Sequence, residues 1–148
     1  MVGIPGSGKT TYAREHFGRA VRISLDDIRL MITGRTFYAR YEPQVAAIGE
    51  AALSAALASA RKWGLDVVFD ATNVSRMLRR RSIRLAQQHD VPPVAVWVEA
   101  PLDVVKARNR QRPFPVPDEV IDRFGERFEP PTTDEGFVEV RRVSTGPA

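Results

Sequence analysis

The sequence of 148 residues contains no cysteine, so neither disulfides nor a thiolate zinc site can hold it together. No apolar run approaches the length that spans a bilayer, and the first residues carry no signal-peptide pattern. A reducing, cytoplasmic setting is therefore expected, with no membrane partner. Internal repeats and low-complexity tracts are also missing, which excludes solenoid and fibrous architectures. Lysine is scarce. Lys9, Lys62 and Lys106 are the only lysines among 22 basic residues, and the rest are arginine. Against 18 acids they leave a net charge of +4 and a pI near 10.0, a balance that favours an anionic partner. Nucleotide, nucleic acid and phosphorylated metabolite all satisfy it. With 43% hydrophobic residues the chain is long enough to bury a core, and one domain over residues 1–148 is expected.

What is present is led by Gly3 to Thr10, GIPGSGKT, which fits the phosphate-cradling pattern GxxxxGK[ST] without a gap. The backbone there must curl so that successive N–H groups point inward at an anion, and glycine permits that approach. The Lys9 ammonium is placed to reach β- and γ-phosphates, and the Thr10 hydroxyl to ligate Mg²⁺. Such a loop normally follows a buried parallel strand, yet only Met1 and Val2 stand ahead of it. A truncated first strand is the expectation.

Further along, short apolar runs alternate with helical patterns. Helices are expected from Lys9 to Phe17, Asp26 to Ile32, Pro43 to Trp63, Ser75 to His89, Asp103 to Gln111 and Asp118 to Phe128. Strands are expected over 20–24, 65–69, 94–99 and 137–143. Alternation of this kind means an α/β fold with a parallel sheet covered on both faces. Pro113, Pro115 and Pro117 stiffen a loop that, with the end of the preceding helix, makes residues 108–117 a candidate lid.

Ligands of such sheets gather at the carboxyl ends of the strands, and three groups fall there: the loop, Asp26 with Asp27, and Asp70 with Asn73. Phosphoryl transfer to a hydroxyl needs a carboxylate to take the proton, cations on the phosphates and a divalent metal, and these residues supply the parts. Each residue also has a plainer use. Asp26 is either a general base or a helix cap, and Asp70 either a metal or acceptor ligand or a turn cap. Arg29 either fixes an anion near Asp26 or is a solvated charge. Arg108 and Arg112 share a helix face that either closes over phosphates or is merely basic. Arg76, Arg79, Arg80, Arg81 and Arg84 form a phosphate-backbone surface or a solvated face, and Phe37, Tyr38 and Tyr41 stack on a base or pack their loop.

Taken together, GIPGSGKTTYAREHF, ISLDDIR, VFDATN, VVKARNRQR and EPPTTDEGF resemble the kinase domain of polynucleotide 5′-hydroxyl kinases over nearly the whole chain. The resemblance implies a P-loop NTPase fold, a three-layer sandwich like that of nucleoside-monophosphate kinases with an arginine lid. It implies transfer of the γ-phosphoryl group of ATP or another NTP, with Mg²⁺, to the 5′-hydroxyl of DNA or RNA. Donor-binding residues implied are Gly3, Pro5, Gly6, Ser7, Gly8, Lys9, Thr10, Thr11, Arg108 and Arg112. Catalytic residues implied are Lys9, Asp26 as base, Arg29 and Arg112. Asp26, Arg29, Asp70 and Asn73 would meet the acceptor, and Thr10 and Asp70 the metal. Related small kinases that act on nucleosides, sugars or antibiotics share the loop and an Asp in the same place, and a nucleotide-hydrolysing switch module is the reading outside kinases.

Overall fold

A computed structural model describes residues 1–146. In chain order it contains α1 (Lys9–His16), β1 (Val21–Ser24), α2 (Leu25–Thr33), α3 (Glu42–Trp63), β2 (Val67–Asp70), α4 (Arg76–Gln88), β3 (Val94–Glu99), α5 (Leu102–Arg110), α6 (Asp118–Glu126) and β4 (Glu139–Ser144). Local chemistry sets many of these limits. Ser24 caps α2 by accepting from the Asp27 N–H at 3.2 Å, and Ser75 caps α4. Gly34 and Gly64 end α2 and α3 in the left-handed conformation. Leu65 does not start β2, as its apolar character suggested, because its N–H turns back to the Ala60 carbonyl to finish the cap of α3. Pairing with β1 begins only at Val67.

The strands pair in two parallel ladders, β1 with β2 and β3 with β4. Residues 1–3 join the ladders into one sheet. The Met1 ammonium donates to the Phe69 carbonyl at 2.8 Å and the Gly3 N–H to Thr72 at 2.9 Å, on the β2 side. On the β3 side the Val2 N–H donates to Val96, and its carbonyl accepts from the Val98 N–H, both at 2.9 Å. The spatial order is therefore β1, β2, residues 1–3, β3, β4. The expected short first strand is what the structure shows: a stub at the centre of the sheet, and it runs directly into the glycine-rich loop.

Helices α3 and α4 close one face. Ile23, Ile28, Val45, Leu53, Leu57 and Ala86 form one buried cluster between them and the sheet. The alanine-rich composition of α3 permits close approach: a Cβ on Gly49 would come within 2.4 Å of the Leu25 side chain. A second set of fully buried side chains, Val98, Val105 and Ile121, ties β3 to α5 and α6. Among the described residues no helix is long and apolar enough to cross a membrane.

Arg79 departs from both uses open to the α4 arginines. It is 1% exposed, pairs with Glu135 through two nitrogens at 2.7 and 2.8 Å, and donates to the carbonyls of Asn73 and Glu129. It is an internal tether for the segment ahead of β4. Arg76 pairs with Asp134 and Arg81 with Glu50, so much of the positive charge of α4 is met within the chain.

The α-ammonium of Met1 is buried in the sheet, and desolvation lowers its pKa from 8.0 to about 6, against the pull of Asp70. A base whose folded-state pKa is lowered costs stability once it must be protonated. Stability is full above about pH 8 and falls as pH drops through 6, by about 2 kcal/mol for a shift of this size. Urea unfolding of the chain from pH 9 to 5.5 should show that loss, and an Nα-acetylated chain should lack this component.

Candidate active site

The loop from Gly3 to Thr10 starts at the stub and ends in the first turn of α1. Gly3 has φ of +147°, and a Cβ there would sit 2.3 Å from the Val98 carbonyl oxygen. Gly8 caps α1 at φ +94°, with Thr145 pressed against it. No other residue fits either position. Ser7 is fully buried and its Oγ has no partner among the described residues. Lys9 is 8% exposed and folds back, its Nζ donating to the Ile4 carbonyl at 2.8 Å. Burial lowers its pKa to about 8, opposed by attraction to Asp70 and Asp26 and reinforced by repulsion from Arg112. A cation held short of full solvation beside a ring of loop glycines is a receptor for phosphate.

The acids lie at the carboxyl ends of β1 and β2, as the alternation of elements predicts. Asp70 is 5% exposed and its Oδ2 accepts from Thr10 Oγ1 at 3.0 Å and from Arg22 Nε at 2.9 Å. Arg22 also reaches Asp27 at 2.8 Å, so one guanidinium spans both acidic groups. The local pattern around Arg22 carries no sign of this, because the bond to Asp70 joins residues 48 apart. Asp26 sits in the first turn of α2 with its side chain 56% exposed. Only its Oδ1 is engaged, by Arg29 at 2.7 Å, and Arg29 is in turn gripped by both oxygens of Glu42.

Thr10 and Asp70 are hard oxygen donors in mutual contact, the kind of set that suits Mg²⁺, which keeps several waters and binds through one or two protein groups plus phosphate. No cluster of three or more His, Cys, Asp or Glu is present among the described residues to make an all-protein cage. Asn73, expected to meet the acceptor, has its side-chain amide nitrogen on the Met1 carbonyl at 2.9 Å and a left-handed φ of 48°. It clamps the stub.

Arg108 differs from expectation too. Its two terminal nitrogens bind Thr145, one at Oγ1 (3.0 Å) and one at the carbonyl. Thr145 Oγ1 itself donates to the Ser7 carbonyl at 2.7 Å. Gly8, Thr11, Tyr12, Glu15, Arg108 and Thr145 thus line a recess of about 270 Å³ beside the loop. Arg112 makes no side-chain hydrogen bond or ion pair among the described residues, although it is near enough to Lys9 to depress its basicity. The proline-rich loop behind it is pinned to α5 by Asn109, fully buried, which bonds the Val116 backbone at both its N–H and carbonyl.

A loop aimed at phosphate, facing an acidic pair with an unpaired arginine above, is the layout of a phosphoryl-transfer site, and residues 1–131 match the AAA domain family. The chain belongs to that family. It is a P-loop kinase of the polynucleotide-kinase-like type. It is 25% identical over 138 residues to the L-seryl-tRNA(Sec) kinase of Methanococcus maripaludis, covering 90% of this chain and 52% of that protein. To the bifunctional polynucleotide phosphatase/kinase of Schizosaccharomyces pombe it is 25% identical, covering 97% of this chain and 32% of the other. It thus spans about half, or less, of these relatives. The Pnkp1/Rnl/Hen1 RNA repair complex contains a chain that superposes with a TM-score of 0.70 at 25% identity, over 85% of this chain and 42% of that one. Kti12 of Chaetomium thermophilum, solved with ADP-AlF3, shares the fold at a TM-score of 0.69 and 18% identity, over 97% and 87%.

In this AAA domain kinase Thr145 joins the segment after β4 to the loop. Thr145→Val keeps the shape but strands the Ser7 carbonyl and the Arg108 guanidinium. Its expected cost is about 1–3 kcal/mol in urea unfolding. An unchanged midpoint would remove Thr145 from this role.

Proposed function

We propose that the chain transfers the γ-phosphoryl group of ATP or another NTP to the 5′-hydroxyl end of a nucleic acid. The observation that carries this reading is Asp26: a half-exposed carboxylate, oriented through one oxygen by Arg29, with Oδ2 open, close enough to Lys9 to act on its charge. A nucleotide-hydrolysing switch has no use for such a group. An alcohol acceptor needs one.

On this reading the triphosphate lies along Gly3, Pro5, Gly6, Ser7 and Gly8, and its base enters the recess beside Thr11, Tyr12 and Arg108. Lys9 leaves the Ile4 carbonyl and moves onto the β- and γ-phosphates. Thr10 and Asp70 hold Mg²⁺, which when bound neutralises phosphate charge. The acceptor oxygen attacks the γ-phosphorus as the bond to the β,γ-bridging oxygen breaks; its proton passes to Asp26 Oδ2, and ADP leaves with the bridging oxygen. Arg112, free of partners, closes over the transferring group. Arg29 stays on Asp26 and Glu42 and offers its remaining positive face to a phosphate of the acceptor. The cysteine-free sequence fits a cytoplasmic setting.

Incubation with γ-labelled ATP, Mg²⁺ and a 5′-hydroxyl oligonucleotide should place label on the oligonucleotide. Label found only on a nucleoside or sugar would assign the chain to the small-molecule kinases instead. Asp26→Asn should cut transfer by about 100-fold or more while ATP affinity stays within about threefold, since a base acts in the transition state and not in donor binding. An equal loss of ATP binding would assign Asp26 to the donor side.

A further inference from the structure

The centre of the sheet holds an opening that no part of the site uses. Beyond Met1, β2 and β3 continue side by side with nothing between them, and a cleft of about 670 Å³ runs there over Leu53, Leu57, Ile83 and Ala86. Its long walls are Val67 to Phe69 and Val94 to Val96, and Pro92 and Pro93 lie at its far end. Ladder geometry tells which backbone groups face it. Val21 donates to Asp66, so the even-numbered residues of β2 turn to β1 and Val67 and Phe69 turn to the cleft. Val2 bonds to Val96 and Val98, so the even-numbered residues of β3, Val94 included, turn to the cleft as well. Met1 and Val2 use only the carbonyls of Phe69 and Val96 and the N–H of Val98. The N–H groups of Phe69, Val94 and Val96 and the carbonyls of Val67 and Val94 are left without a protein partner among the described residues.

We propose that this cleft seats an extended apolar segment of about four residues, continuous with Met1 and parallel to β2 and β3, at the usual rise of ~3.3 Å per residue. Both walls run in the same direction as residues 1–3, and the vacant donors and acceptors alternate from wall to wall in the order a parallel strand requires. The residue joined to Met1 would lie two ahead of Gly3 and face away from it. That residue, in register with the Val2 ladder one step on, takes the Val94 carbonyl and the Val96 N–H on one side. The next takes the Val67 carbonyl and the Phe69 N–H on the other. Side chains on one face of the segment would cover the apolar floor supplied by α3 and α4. Covalent continuity is favoured over a separate peptide because the Met1 nitrogen lies at the inner end of the cleft, already in the ladder, where an acyl group on it continues the strand. The inference is independent of the acceptor and of the reaction.

The test compares three forms of the full chain: unextended, extended ahead of Met1 by Val-Val-Ile-Val, and extended by Gly-Ser-Asp-Gly. The apolar extension should raise Tm by about 5 °C or more, and the polar one by under about 2 °C. Amide exchange gives the sharper reading. In the apolar form the N–H groups of Phe69, Val94 and Val96 should exchange at least about tenfold more slowly, and the polar form should leave them as in the unextended chain. An apolar tail that merely sticks to the surface would not protect three amides in that alternation. Equal protection in the two extended forms, or none in either, overturns the proposal. So does protection by the peptide Val-Val-Ile-Val added in trans when the fused form shows none, since the occupant would then be a separate chain.

Discussion

Four main-chain hydrogen bonds hold residues 1–3 between the two halves of the sheet: Met1 to Phe69, Gly3 to Thr72, and Val2 to both Val96 and Val98. Everything catalytic depends on them. The loop begins at Gly3, whose backbone is pressed so close to Val98 that a side chain could not enter. From there the chain turns over Ser7 and Lys9 into α1. If the stub shifted by one residue, the loop would lose its position relative to Asp70, and Thr10 would lose the carboxylate it touches at 3.0 Å. Asn73, on the turn after β2, adds its amide to the Met1 carbonyl and so joins the acidic side to the same anchor.

Around that anchor the charges are arranged as two linked groups. Arg22 bridges Asp70 and Asp27, and Arg29 bridges Asp26 and Glu42. Each guanidinium has two carboxylates, so the acids at the strand ends are held apart and oriented while the donor loop keeps one cation, Lys9, buried and close at hand. Exposed ion pairs of this kind contribute little stability. Their value here is geometric: they fix which carboxylate oxygen is tied and which is open. At the other end, Thr145 and Arg108 bind the segment after β4 to the back of the loop, so the last strand also has a part in the site's shape.

How far the sequence foretold this follows from the range of each interaction. The alternation of helices and strands, the loop, the caps at Ser24, Gly34 and Gly64, and the placing of Asp26 and Asp70 at strand ends are local patterns, and each was legible. The short first strand was visible as a shortage of residues. Arg79 was read as surface charge because its partners, Glu135 and the Glu129 carbonyl, lie 56 and 50 residues away. Arg22 and Thr145 went unnoticed for the same reason, with bonds that span 48 and 138 residues. Arg108 and Arg112 sit one turn apart on what reads as one face. Only the fold separates them, because Thr145 claims the first and leaves the second free.

The central claim is that one sheet presents a donor cradle and an acceptor base on opposite sides of a single γ-phosphoryl position. A crystal structure with a non-hydrolysable ATP analogue, Mg²⁺ and a 5′-hydroxyl dinucleotide tests it directly. The account predicts Lys9 Nζ on the β- and γ-phosphates and Asp26 Oδ2 at about 2.6–3.2 Å from the acceptor hydroxyl, in line with the bond to be broken. A γ-phosphate bound away from the loop, or an acceptor hydroxyl held by other groups and out of reach of Asp26, would contradict it.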